Sequence, residues 1–107
     1  MIDLDTTWQG EMLPYERYKL FNWILDIKPA NILEIGAGGG GSTRSMAEAI
    51  KKLGIPSIIY TCDLECGLAN PFLKAFPFVA FHKISSDILI QDLIRSEVNI
   101  DFILFDG

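Results

Sequence analysis

The 107-residue sequence is poor in metal-binding side chains, with two cysteines, Cys62 and Cys66, and a single histidine, His82. A Cys-x3-Cys pair with one distant imidazole supplies too few ligands for a closed zinc site. The cysteines therefore read as reduced thiols near a strand end, and His82 as a strand residue. Long apolar runs are also missing, and none approaches the roughly 18 residues that a membrane span needs. The amino terminus, Met1-Ile2-Asp3-Leu4-Asp5, is acidic and lacks the basic-then-apolar plan of a secretory signal. These absences predict a cytoplasmic chain with no membrane partner. Positive charge is scarce too: nine Lys and Arg against fourteen Asp and Glu leave a net charge of −5, and only Lys51 and Lys52 are adjacent. Such a surface repels a phosphate backbone, which argues against nucleic acid as a partner. No internal repeat is present and, apart from one run of glycines, no low-complexity segment.

What the sequence does have is apolar content. Half of its residues are hydrophobic, enough for a real core and too many for a disordered chain, and the length suits a single domain over residues 1–107. Residues 1–13 show no clear period and read as an irregular arm; the ordered pattern covers 14–107. Pro14 fits the first position of a helix running to Ile27, with Tyr18, Phe21, Ile24, Leu25 and Ile27 at mostly helical spacing and Pro29 ending it. Ile32 to Ile35 reads as a first strand. Ser42 or Thr43 is a good cap for a second helix, which carries a stripe of Met46, Ala47, Ala49, Ile50 and Leu53 and stops at Gly54. Ser57–Asp63 reads as a second strand and Leu68–Phe76 as a short helix interrupted by Pro71. Phe78–Lys83 reads as a third strand, Asp87–Arg95 as a helix, and Ile100–Asp106 as a fourth strand.

Strands alternating with helices predict a parallel sheet with right-handed crossovers, and the near-continuous apolar strands predict cover on both faces. Ligands of such sheets bind beyond the carboxyl ends of the strands. Gly36, Asp63 and Asp106 stand at those ends, and Asp87 lies just past the third. The glycine-rich stretch Ile32-Leu33-Glu34-Ile35-Gly36-Ala37-Gly38-Gly39-Gly40-Gly41-Ser42-Thr43 passes from strand to helix, an arrangement that brings bare backbone against a nucleotide-like ligand. Four consecutive glycines exceed what a tight turn alone requires. Glu34, inside an apolar strand, needs a partner, because burying an unpaired carboxylate costs several kcal/mol, roughly.

Four pieces together resemble the class I S-adenosylmethionine-dependent methyltransferases, most closely the branch acting on small-molecule hydroxyl groups. They are Leu33-Glu34-Ile35-Gly36-Ala37-Gly38 with Gly40-Gly41-Ser42-Thr43, Tyr60-Thr61-Cys62-Asp63, Ser85-Ser86-Asp87, and Ile100-Asp101-Phe102-Ile103-Leu104-Phe105-Asp106-Gly107. The resemblance covers about the first half of that family's core. It implies a Rossmann-like α/β fold with helices on both faces and spatial strand order 3-2-1-4, truncated after the fourth strand. It further implies that S-adenosylmethionine is held by Glu34, Gly36, Ala37, Gly38, Gly40, Ser42, Thr43, Asp63, Leu64, Ser86 and Asp87. In that scheme Ser42, Thr43 and the helix amides receive the cofactor's carboxylate, and Glu34 its ammonium group. Asp63 accepts both ribose hydroxyls, and Asp87 accepts from the adenine amino group. Asp106 is the candidate catalytic residue, either as general base toward a hydroxyl or as ligand for Mg²⁺ or another hard cation.

Other readings stay open at this level. Asp63 also suits an ordinary loop acid, Asp106 a polar terminus, and Asp87 a helix cap for which Ser86 competes. Gly36, Gly38 and Gly41 with Asp63 also satisfy the pattern of an NAD(P)-binding domain, and a non-catalytic nucleotide-binding or assembly module is a third possibility. Glu34 near a pyrophosphate, and the tasks left unassigned to Asp87 and Asp106, count against the nicotinamide reading. Trp8, Met12, Tyr15 and Tyr18 suit a lid over the cleft or, preferentially, core packing. An isolated half-sheet leaves strand four as an apolar edge, to be covered by a homodimer or a partner chain. Such a chain is expected to retain weak cofactor binding without methyl transfer to its small-molecule acceptor.

Overall fold

Short β-branched runs separated by amphipathic segments fold as alternating strands and helices. In the computed structural model, which describes residues 14–38, 40–65 and 67–105, they are α1 (Pro14–Ile27), β1 (Asn31–Ile35), α2 (Gly41–Leu53), β2 (Ile58–Cys62), α3 (Asn70–Ala75), β3 (Val79–His82), α4 (Ser86–Arg95) and β4 (Phe102–Phe105). The four strands form one parallel sheet in the order β3-β2-β1-β4, the α/β Rossmann-like arrangement expected from the sequence. Among the described residues no helix is long and apolar enough to cross a membrane.

Side chains alternate between the faces of a strand, so each face of β1 faces a different core. Ile32 joins Ile59 and Val79 beneath α1 and α2, where Leu20, Phe21, Ile24, Met46, Ala47 and Ile50 are buried and Phe72 and Leu73 of α3 pack alongside. Leu33 points the other way and meets Cys62 with Leu89 and Leu93 of α4. Glu34, two residues after Ile32, therefore lies on the α1–α2 face. Both helices run antiparallel to β1, since α1 leads into its start and α2 follows its end. Their first turns lie at the carboxyl edge of the sheet.

Element boundaries differ from expectation for identifiable reasons. Gly54 closes α2 in the left-handed region (φ 67°) as anticipated, with its N–H on the Ile50 carbonyl at 3.0 Å. Lys28 takes a similar conformation (φ 53°) before Pro29. Ser85, rather than Ser86 or Asp87, caps α4; its backbone is extended and its hydroxyl accepts from the Ile88 N–H. The third helix is shorter than expected, with Pro71 in its first turn. Tyr15, read preferentially as core, is 71% exposed, with the Lys19 ammonium 5.9 Å from its ring centre. Tyr18 is half-buried against the larger core. Trp8 and Met12 lie outside the described residues.

The fourth strand begins at Phe102 because Asp101 has another task. Its carboxylate accepts from the backbone N–H groups of Ala30 (2.8 Å) and Asn31 (2.9 Å), while the Asn31 amide donates to the Asn99 carbonyl. Partial burial pushes the Asp101 carboxyl upward, but the N–H groups of Ala30, Asn31 and Asp101 itself outweigh this and hold its pKa below the usual 3.8. A depressed folded-state pKa means that the stabilisation is intact above the ordinary Asp value and lost as pH falls through the lowered one. Asp101→Ala is expected to cost about 1 kcal/mol at neutral pH, discounted for solvent exposure, or about 4–8 °C in Tm. Melting curves of mutant and wild type are expected to converge as pH drops below 3.8.

Strand β4 pairs only with β1 among the described residues. Phe102 and Leu104 pack toward the larger core, whereas Ile103 and Phe105 are 62% and 74% exposed. Among the described residues β4 thus stands at one side of the sheet with apolar side chains exposed.

Candidate functional site

The backbone leaves β1 through a series of left-handed residues, Gly36 (φ 91°), Gly38 (φ 54°) and Gly40 (φ 93°). An L side chain is strained in each of these conformations. A Cβ on Gly40 would also lie 3.0 Å from Leu68 Cδ2, whereas one on Gly38 would meet nothing within 4 Å. The surface over Gly38 is therefore open. The N–H groups of Gly36 and Ala37 both donate to the Cys62 carbonyl at 3.1 Å, which ties the loop to the end of β2.

Beneath this loop Glu34 is fully buried. Its Oε2 accepts from Ser42 Oγ, and its Oε1 accepts from Thr43 Oγ1 and from Thr61 Oγ1, the latter at 2.7 Å. Thr61 stands opposite Glu34 in the β1–β2 register. The carboxylate is thus solvated by hydroxyls from three directions, as a charge away from water requires. Ser42 and Thr43 do not cap α2 as the sequence suggested; Gly40, left-handed, occupies the N-cap position without a side-chain bond. The buried carboxylate takes the hydroxyl protons that a cap would otherwise leave free.

Asp63 follows β2 directly. Its Oδ2 accepts from the Gly38 N–H and its Oδ1 from the Glu65 N–H, both at 2.9 Å. Asp63 lines a cleft of about 320 Å³ together with Ile35, Gly36, Cys62, Leu64, Glu65, Ile84, Ser85 and Ser86. Burial pushes the Cys62 thiol above its usual 9.0, the Gly36 amide works against this, and the Asp63 and Glu34 carboxylates add to the rise. The thiol stays protonated and acts as packing, in keeping with its reading as a reduced cysteine.

Of the candidate residues, Gly36, Asp63, Leu64 and Ser86 share this cleft. Glu34, Ser42 and Thr43 lie below the loop, each buried. Ala37 and Gly38 form its crest, and Gly40 starts α2. Asp87 is exposed in the first turn of α4, outside the cleft lining. Asp106, the catalytic and metal candidate, lies outside the described residues, as do Gly39 and Cys66. Among the described residues, no three His, Cys, Asp or Glu side chains gather into a metal-binding group. Sequence reasoning missed Thr61, Glu65 and Ile84. The signal for Thr61 was its place two residues before Asp63, on the face of β2 that matches Glu34.

No protein-family model matches the chain. Over 60 residues, 52% of the chain, it is 40% identical to the non-reducing polyketide synthase azaA of Aspergillus niger. Over 56 residues, 50% of the chain, it is 43% identical to the non-reducing polyketide synthase sorB of Penicillium rubens. Each alignment takes in 2% of the synthase. Among solved structures, the apo form of CmcI-N160 superposes with a TM-score of 0.66 at 18% identity, covering 95% of this chain and 45% of that one. The CmcI-D160 structure titled Mg-SAM gives 0.62 at 18% identity over 95% and 46%, and the CmcI-N160 structure titled SAH gives 0.57 at 21% over 75% and 43%. The chain thus spans less than half of these solved chains and about 2% of the synthases. The superpositions establish the Rossmann-like fold.

Proposed function

We propose that this chain is the S-adenosylmethionine-binding portion of a methyltransferase acting on a small-molecule hydroxyl. The observation that carries the reading is Asp63, fixed by the Gly38 and Glu65 amides at the rim of a cleft floored by Gly36, next to open surface over Gly38. That geometry suits a ribose diol on the carboxylate, a base between Leu64, Ile84 and Ser86, and a chain of atoms lying over the glycines. The CmcI structures titled with SAH and Mg-SAM share this fold and support the choice of ligand.

Bound there, S-adenosylmethionine supplies a methyl group activated by an adjacent sulfonium. The chain's own contribution is positional: it orients the cofactor against an acceptor, an effect worth several kcal/mol, roughly. Asp63 sets the sugar, and the first-turn amides of α2 meet the carboxylate of the amino-acid end. Asp87 is assigned to the adenine amino group. Asp106, next in sequence after Phe105 of β4, is assigned as the group that takes the acceptor's proton or holds a divalent cation such as Mg²⁺. The exposed β4 edge is assigned to contact with a second copy or a partner chain, and the cell compartment to the cytoplasm.

A nicotinamide cofactor fits less well, since Glu34 would put a buried negative charge beneath a pyrophosphate. Differential scanning fluorimetry separates the two. S-adenosylhomocysteine at a hundredfold excess over its Kd is expected to add about 2.7 kcal/mol, a Tm rise of roughly 10–20 °C, and NAD none. A rise with NAD and none with S-adenosylhomocysteine would reverse the assignment.

A further inference from the structure

We propose that Thr61 is a positioning residue for the amino-acid end of the cofactor, acting through Glu34 and the first turn of α2; the inference rests on the cofactor reading above. A hydroxyl carries one proton. The protons of Ser42, Thr43 and Thr61 all go to the Glu34 carboxylate. Ser42 and Thr43 therefore do not donate to a ligand carboxylate, contrary to their first assignment. The donors that serve it are the main-chain amides of Gly41, Ser42 and Thr43, which helix geometry leaves without an intrahelical acceptor.

The direction of those amides depends on where the turn sits, and the turn is held to the sheet through Glu34. Thr43 and Thr61 share one oxygen, Oε1, from opposite sides: one belongs to α2 and the other to β2. Thr61 thereby stops the carboxylate from turning about its own bond and carrying the helix start with it. Thr61 is itself fully buried, below the loop that a ligand would touch. Its influence on the ligand is indirect. Asp63, two residues on, holds the sugar through separate bonds. One end of the cofactor thus depends on Thr61 and the other does not.

This asymmetry gives a readout that loss of stability alone would not produce. Thr61→Val keeps the shape of the side chain and removes the donor. Calorimetric titration of the full chain with S-adenosylhomocysteine is expected to show about tenfold weaker binding. 5′-Methylthioadenosine, which keeps the adenosine and lacks the amino-acid end, is expected to change less than about twofold. Thr61→Ser, which restores the hydroxyl, is expected to recover wild-type affinity for both. If Thr61→Val does not fold, Thr61→Cys carries the same comparison with a weak S–H donor and an expected selective loss of about threefold. Equal weakening of both ligands, unchanged affinity for both, or failure of Thr61→Ser to recover would overturn the positioning role. A wild-type chain that binds neither ligand would instead sink the cofactor reading itself.

Discussion

Glu34→Ala is expected to leave most of the chain unfolded near its normal melting range, with Tm lowered by about 20 °C or more. The substitution removes the shared acceptor of three hydroxyls, all on buried residues. Each orphaned donor costs about 1–3 kcal/mol, and rotation toward nearby carbonyls recovers only part of this. The vacated volume adds a cavity term. A total of about 3–6 kcal/mol is a large share of the roughly 5–15 kcal/mol that keeps a domain folded. Glu34→Met, which refills the volume but not the acceptors, is expected to recover only the cavity part. Thermal melts followed by circular dichroism decide the matter: a Glu34→Met chain as stable as wild type would mean that the hydroxyls find other acceptors and the carboxylate is not their anchor.

Asp63→Ala is expected to weaken S-adenosylhomocysteine binding by about a hundredfold or more while lowering stability only slightly. Two charge-assisted hydrogen bonds to a diol are worth about 1.5–3 kcal/mol each, and both disappear with the carboxylate. Asp63 is only partly buried, and of the two amides that it holds Glu65 lies along the cleft and Gly38 beside open surface, where water replaces the carboxylate. The two effects therefore separate: the melt moves little and the titration moves far. Asp63→Asn, with one oxygen left to accept, is expected to fall between. Affinity in Asp63→Ala within a few-fold of wild type would place the sugar elsewhere.

The order of elements and the sheet order were legible because patterning, turn chemistry and strand composition all point the same way. Gly54 ends α2 where a left-handed residue was required, and β1 to β4 fall where the apolar runs do. What escaped the sequence was the assignment of polar groups that serve competing ends. Ser42 and Thr43 suit both the cap and a buried donor, and only the fold shows Gly40 at the cap position and both hydroxyls donating to Glu34. Thr61 reads as an ordinary β-branched strand residue until the register sets it opposite Glu34. The sequence left Asp87 and Ser86 in competition to cap α4, a contest that goes to Ser85 because its extended backbone aims the hydroxyl at Ile88. Tyr15 fits the helical spacing of a buried position, yet α1 turns its stripe of Leu20, Phe21 and Ile24 inward and leaves Tyr15 outside.

The pairing of β4 with β1 joins Ile32 to Phe102, so the central strand acquires its second neighbour only after about 70 further residues have been made. At roughly 5–20 residues per second, a nascent chain leaves the ribosome with that flank of β1 bare for roughly 4–14 s. During this interval α1, α2 and β2 can assemble around β1, but the side of β1 that β4 takes stays bare. Until β4 is made, that flank of β1 is expected to be open to capture by a holding chaperone.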